Sequence, residues 1–387
     1  MVKVKSIFNC RMVSPGVDMP EASVEVRDGL ISRIAPGHAE WSKGGLDAQG
    51  RMLVPGFIDV HCHGRNNCDV SDGTPEGLKT IAVNKLAEGV TSFLPTTLTL
   101  PESDLSAALK SVAAYDGSGC KIPGVHLEGP FINPKCIGAQ NPDFLRAPDI
   151  AEVERLNRIY PVRKVTFAPE MPGALELLDG LLAMGITPSC THSAATAKEF
   201  RAAYDRGLRD LSHFCNQMSA LHHRDIGLVG SGLLYDEVNL ELICDKLHVS
   251  PDMIKLVFKV KPCDRIMLIT DAMRAAGMPK GEYTLGGLPV TVTDDGAARL
   301  TSNGALAGST LRINCAFRNI AEVTNLPLKE LVKSTSLTAA RSLGLEKVGM
   351  IRTGYCADMV HLDADFSVAG TIVDGEVRYQ KNDGIFA

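Results

Sequence analysis

The 387-residue chain is short of several things. It has no excess of positive charge: 40 lysines and arginines face 45 aspartates and glutamates, a formal balance of −5, which leaves no electrostatic footprint for nucleic acid. It has no apolar run long enough to span a bilayer, and its N-terminus lacks the basic, apolar, small-residue sequence of a signal peptide; the expected address is the cytoplasm, away from any membrane. Eleven cysteines are scattered from Cys10 to Cys356 without one Cys-x-x-Cys pair, which excludes a cysteine-type zinc site and a disulfide framework, and reads as free thiols in a reducing compartment. The 36 glycines follow no Gly-X-Y period, and 45% hydrophobic residues exclude a disordered chain. Aromatics are scarce at 5%, and the single tryptophan, Trp41, reads as packing or a dimer contact.

The two ends of the chain resemble each other more than either resembles the middle. Near the start, short strand-like runs (Val2–Val4, Ser23–Val26, Leu30–Ile34) are broken by Asp28-Gly29, a hairpin signal. The tail repeats the pattern, with Asp358–Leu362, Gly370–Val373, Asp374-Gly375 and Glu376–Tyr379. Neither end has enough strands for a stable sheet, so residues 1–54 and 355–387 are expected to pair into one small β-sandwich domain. Between them, residues 55–354 alternate. Strand-like runs fall at Leu53–Val60, Thr91–Pro95, Gly124–Leu127, Val165–Ala168, Ile186–Ser189, Asp210–Phe214, Leu240–Asp245 and Ile266–Thr270. Helical stretches separate most of them: Pro75–Glu88, Glu102–Ala114, Asp149–Tyr160, Ala174–Met184, Thr196–Arg206 and Pro251–Val260. The connection after Phe214 is irregular and glycine-rich. Eight such units over about 300 residues predict an α/β fold of the (β/α)8, or TIM, barrel type. An open doubly wound sheet is the alternative, and the lack of a glycine-rich phosphate loop after the first strand counts against its nucleotide-binding forms.

Polar residues recur where these strands end: His61-Cys62-His63 on the first, His126-Leu127-Glu128 on the third, then His192, His213 and, toward a loop, His248, with Asp271 closing the eighth. In a barrel all these ends open on one face, where such enzymes carry their chemistry. His-x-His on a strand puts both imidazoles on the same side. His61, His63, Glu128, His192, His213 and Asp271 therefore form a nitrogen and oxygen donor set for a divalent metal, one ion or two, of zinc, iron, nickel or manganese. Glu128 can bridge two ions, in a site that activates water and polarises a carbonyl. Asp271 would take the proton of the attacking water and return it to the leaving nitrogen. Singly, these residues have plainer readings: a lone histidine is commonly a structural hydrogen-bonding group, as His126, His38 and His361 are expected to be, and Asp271 could cap a helix. The combination in one register favours the site.

Pro55–Gly64, with His61-Cys62-His63 at its end, resembles the opening metal motif of the amidohydrolase superfamily. His126–Phe131, Thr191-His192-Ser193, His222-His223-Arg224, Leu268–Met273, Glu282–Gly287, Leu306–Thr310 and Gly354–Asp358 narrow the likeness to N-acetylglucosamine-6-phosphate deacetylases and extend it over nearly the whole chain. The resemblance implies hydrolysis of N-acetyl-D-glucosamine 6-phosphate to D-glucosamine 6-phosphate and acetate. It also implies that Glu128, His192 and His213 hold the principal metal, that His61 and His63 complete a second site, and that Asp271 is the general acid and base. Ala139, Gln140, Asn216, Gln217, Arg224, His248, Leu306, Ala307 and Gly308 match substrate-binding positions, with Arg224 reaching the neighbouring active site of a homodimer. An arginine fork suits phosphate oxygens; without the family, Arg224 reads as a solvated loop charge. Two positions depart from the family pattern. Gln140 stands where a histidine is usual, and Gln217 where the motif usually has alanine. Glutamine donates a hydrogen bond but carries no proton at neutral pH. Both departures fall in the substrate shell, so the same deacetylation of N-acetylgalactosamine 6-phosphate or another acylated amino-sugar phosphate is the alternative. A non-catalytic sugar-phosphate-binding protein would be expected to show damage at Asp271 or the metal ligands, and none is visible.

Overall fold

A computed structural model describes residues 2–381; residue 1 and residues 382–387, the outer ends of the two terminal segments, lie outside the described residues. The middle of the chain forms one eight-stranded parallel sheet whose order follows the chain. Its strands are β1 (Phe57–Cys62), β2 (Val90–Thr97), β3 (Val125–Glu128), β4 (Val162–Phe167), β5 (Thr187–Cys190), β6 (Asp210–Leu211), β7 (Asn239–Ile243) and β8 (Ile266–Ile269). Their runs are buried almost without interruption, as strands covered on both faces must be. The ring closes at the C-terminal mouth. There the His61 carbonyl accepts from the Asp271 amide at 2.9 Å, the His63 amide donates to the Ala272 carbonyl at 2.9 Å, and Cys62 bridges Ala272. The predicted barrel is therefore the observed fold.

Among the described residues, eight helices of eight or more residues surround it: α1 (Pro75–Lys85), α2 (Glu102–Ala113), α3 (Ile150–Asn157), α4 (Ala174–Ala183), α5 (Ala197–Arg206), α6 (Gly227–Leu234), α7 (Pro251–Val260) and α8 (Ile313–Thr324). Their starts have local causes. Thr74 and Ser250 accept from the amides of Gly77 and Met253 with proline at the first position, and Thr196 forms a reciprocal capping box with Glu199. The glycine-rich stretch after β6, read as irregular, contains α6; the missing side chain at Gly232 lets it lie against Phe214 and Leu211.

Strands from both termini build a separate nine-stranded sheet with its own core, including Ile7, Val24, Ile31, Met359 and Ile372. These core residues all come from one hydrogen-bonded sheet built from both ends of the chain, consistent with the expected small β domain. Asp28-Gly29 and Asp374-Gly375 make two of its two-residue turns with all four φ angles positive, the geometry of a type I′ hairpin. The run expected as a single strand, Leu53–Val60, is divided. Met52–Pro55 pairs with Ser6–Ser14 and Met359–Leu362 in the terminal sheet, and only after Gly56 does the chain enter the barrel. A Cβ at Gly56 would collide with the Thr91 side chain, so the crossing point admits only glycine. A three-stranded antiparallel sheet (Gly281–Leu285, Leu288–Val292, Ala298–Leu300) stands between β8 and α8, in a stretch to which the sequence reading assigned no strand. It brings Leu285, Ala305 and Leu306 over the barrel mouth.

Candidate metal centre

His61, His63, Glu128, His192, His213 and Asp271 converge at the C-terminal mouth, all buried. Glu128 is the hub. Its Oε1 lies 2.9 Å from His213 Nε2, 3.3 Å from His192 Nε2 and 3.4 Å from His61 Nε2; its Oε2 lies 3.2 Å from His63 Nε2. Asp271 Oδ1 stands 3.2 Å from His63 Nε2 and 3.5 Å from His61 Nε2. All four imidazoles thus point Nε2 at Glu128, and His61 and His63 also face Asp271. Their Nδ1 atoms face fixed oxygens instead: Thr96 O for His63, Cys136 O for His192, Thr191 Oγ1 for His213 and Glu241 Oε2 for His61. An outward Nδ1–H on an oxygen sets the tautomer that leaves Nε2 as a donor toward a metal.

Backbone geometry does part of the aiming. His192, His213 and Asp271 have φ of 48°, 30° and 49°, in the left-handed region that non-glycine residues seldom occupy. Such strain persists where surrounding structure over-determines it, commonly at functional sites.

The electrostatics follow from burial and proximity. Burial raises the Glu128 carboxyl, but His61, His192 and His213 outweigh it and hold it well below the usual range. Asp271 is likewise held low by His63 and His61 against its burial. Burial disfavours the His61 cation, yet Glu128 and Glu241 carry its pKa up to about 10. Two buried carboxylates aimed at four imidazole nitrogens form a cluster that calls for a cation, and the His61 Nε2 atom is buried with no hydrogen-bond partner. The donors fit a divalent metal. At the mouth two groupings bring ligand atoms within 4.8 Å of one another: His61 with His63 and Asp271, and His61 with Glu128 and His213.

The mouth opens into a cavity of about 240 Å3. Of the residues expected to bind substrate, Ala139, Gln140, Asn216, Gln217, His248, Leu306 and Gly308 line it. Ala307 lies behind the lining, fully buried with its amide on Ala298 O. Arg224 does not line the cavity; it lies in the exposed loop with His222 and His223, its Nη1 2.9 Å from His223 Nε2. Gln140 does more than face the cavity: its Oε1 accepts from the Thr99 amide at 2.8 Å, and its Nε2 donates to Glu128 Oε2 at 2.6 Å. His248 gives its Nδ1 to Asp245 Oδ2 at 2.6 Å, leaving Nε2 for a ligand. His126 is structural, with both ring nitrogens engaged by Val60 O and Thr166 Oγ1. The sequence reading missed Glu241, which supports His61, and Lys164, which pairs with Glu241. A charged residue inside an otherwise apolar barrel strand, as in Asn239-Leu240-Glu241-Leu242-Ile243, was the available signal.

Residues 52–378 match the family model for the amidohydrolase family. An N-acetylglucosamine-6-phosphate deacetylase of Lysinibacillus sphaericus is 37% identical over 381 residues, covering 97% of this chain and 98% of that one. An N-acetylgalactosamine-6-phosphate deacetylase of Escherichia coli O157:H7 is 39% identical over 365 residues, covering 93% and 95%. A mutant N-acetyl-D-glucosamine-6-phosphate deacetylase of Mycobacterium smegmatis, solved in complex with N-acetyl-D-glucosamine-6-phosphate, superposes with a TM-score of 0.92 at 28% identity, over 97% of this chain and 100% of that one. The chain belongs to the amidohydrolase family, in its N-acetylglucosamine-6-phosphate deacetylase branch.

Proposed function

We propose that this protein hydrolyses the acetamide of N-acetyl-D-glucosamine 6-phosphate, releasing acetate and D-glucosamine 6-phosphate. The observation that carries the reading is the convergence of four histidine Nε2 atoms on Glu128, with Asp271 beside them, at the floor of a barrel-mouth cavity. Glu128, His192 and His213 would hold one ion, and His61 and His63, sharing Glu128, a second. A divalent cation there supplies Lewis acidity, which acidifies water and polarises an amide carbonyl. Zinc, iron, nickel and manganese all suit imidazole and carboxylate donors. Asp271, held ionised by the neighbouring histidines, accepts a proton as the water oxygen adds to the acetyl carbon. It then returns that proton to the sugar nitrogen as the C–N bond breaks, so the amine leaves neutral. Asn216 and His248 bind the sugar phosphate from the cavity wall.

Arg224 completes that phosphate site only from a neighbouring subunit, so we place the working enzyme as a homodimer in which Arg224 of the partner subunit reaches the cavity. The eleven free thiols suit a reducing compartment, and the cytoplasm is the proposed address. No helix among the described residues is long and apolar enough to cross a membrane.

Acetate release from N-acetylglucosamine 6-phosphate, measured before and after chelation and after each metal is restored, tests the assignment; no release at millimolar substrate with metal present would refute it. A second reading keeps the reaction and changes the sugar to N-acetylgalactosamine 6-phosphate. It is favoured by the E. coli relative and by Gln140 and Gln217 in the cavity wall. Turnover of the two epimers side by side separates the readings.

A further inference from the structure

Beneath the mouth, the barrel interior holds a chain of buried charges that the proposed chemistry does not use. Glu241 on β7 reaches His61 Nδ1 with Oε2 at 3.1 Å. Its other oxygen is ion-paired with Lys164 Nζ from β4, which also contacts Asp210 Oδ2 from β6 at 2.8 Å. Asp210 in turn accepts from Asn239 Nδ2 at 2.8 Å and Ser342 Oγ at 2.6 Å. None of these charges reaches solvent to any useful extent. Apolar side chains of similar volume would often fill such a space at no loss of stability, so burial of three charges here calls for a reason other than stability.

The four imidazoles of the centre supply that reason by their differences. His63, His192 and His213 rest Nδ1 on neutral carbonyl or hydroxyl oxygens, whereas His61 alone rests it on a carboxylate. The His61 ring is further fixed by the edge of His126, with ring centroids 4.7 Å apart and planes at 82°. A carboxylate accepting the Nδ1–H strengthens the opposite nitrogen as a donor, and partners of this kind are worth about 10–100-fold in metal affinity.

We infer that Glu241, held in place by Lys164 and Asp210, is the positioning residue that makes His61 a strong ligand and so keeps an ion in the His61–His63 half of the centre. This rests on the reading that His61 and His63 hold an ion, and the experiment separates the two. Metal-depleted wild type, Glu241→Gln and Glu241→Asp are titrated with Mn2+, following ions bound per chain and the exchange-coupled electron paramagnetic resonance signal of two neighbouring Mn2+ ions. The Gln variant keeps the shape and loses the charge; the Asp variant keeps the charge beside Lys164 and withdraws it from His61. The expected result is two ions and a coupled signal in wild type. In both variants the first ion binds as before, and the second binds about tenfold more weakly or worse. A wild type that takes up a single ion removes the two-ion reading and this inference with it. A two-ion wild type with either variant binding the second ion as tightly, or with both ions weakened alike, overturns the role of Glu241 alone.

Discussion

Asp271 occupies a place at which one atom decides the chemistry. Its Oδ1 lies within 3.5 Å of two histidine Nε2 atoms, and its φ of 49° turns the carboxylate over the floor of the cavity instead of along the strand. Asp271→Asn keeps the size and removes the proton-accepting oxygen. The expected outcome is a fall in kcat of about 10²–10⁴-fold in enzyme saturated with metal, checked by acetate release alongside elemental analysis. Retained turnover would reassign the proton transfer. Gln140 holds Glu128 on the side away from His192, so Gln140→Leu leaves Glu128 Oε2 to His63 alone. Loss of that charge-assisted bond is worth about 1.5–3 kcal/mol, expected as weaker metal retention on dialysis and visible in ions bound per chain.

At the scale of elements, the site depends on β1 and β8 staying in register where the barrel closes. Asp59 on β1 is fully buried; its Oδ2 accepts from Thr270 Oγ1 at 2.6 Å, and the Thr270 amide donates to its Oδ1 at 3.2 Å. Lys85, at the end of α1, answers that charge at 2.7 Å, also fully buried. Burial alone would depress the lysine, but Asp59 outweighs it and raises its pKa, so the ion pair persists through neutral pH. Lys85→Met leaves Asp59 as an uncompensated buried carboxylate. The expected loss is about 3–5 kcal/mol by urea unfolding, far beyond an exposed-pair substitution such as Lys79→Met, whose partner Asp116 is half exposed. Equal effects from the two would show that Asp59 has another counter-charge.

For the whole molecule, two expectations concern the terminal sheet and the assembly. His361, buried where Met359–Leu362 pairs with Met52–Pro55, has its pKa pushed down from 6.5 to about 4, chiefly by burial and next by Arg51. The folded state therefore refuses a proton that the unfolded chain accepts below about 6.5. No stability is at stake above that value, and stability is lost progressively as pH falls from 6.5 toward 4. At pH 5 the loss from this group is about 2 kcal/mol relative to pH 7.5. His361→Leu should remove that increment from the difference between the two pH values, read by urea unfolding; an unchanged difference would contradict it. In the proposed homodimer, Arg224→Ala and Asp271→Asn are each expected to be nearly inactive alone. Mixed after mild dissociation, they should recover activity in hybrid dimers, because one site then has both Asp271 and Arg224. Failure to recover would place Arg224 outside the site.

The alternation of strands and helices, and the candidate ligands at the strand ends, were legible in the chain alone. Both are periodic or local: β-branched runs, capping residues such as Thr196 with Glu199, and polar residues at strand ends declare themselves within a few positions. The pairing of the two ends was legible for the same reason, in the two Asp-Gly turns between alternating runs. Tertiary structure decided what depends on residues far apart in the chain. Gly56 divides a run that looks continuous because Thr91, 35 residues on, occupies the space a side chain would need. Glu241 stands out as a charge in an apolar strand, but its partner His61 is 180 positions away, so only the fold shows which residue it supports. Gln140 reads as a substrate contact in sequence, yet in the fold it also clamps Glu128, because a loop after β3 returns over the strand end. Short-range chemistry names the candidate ligands; long-range packing sets which nitrogen each one turns toward Glu128.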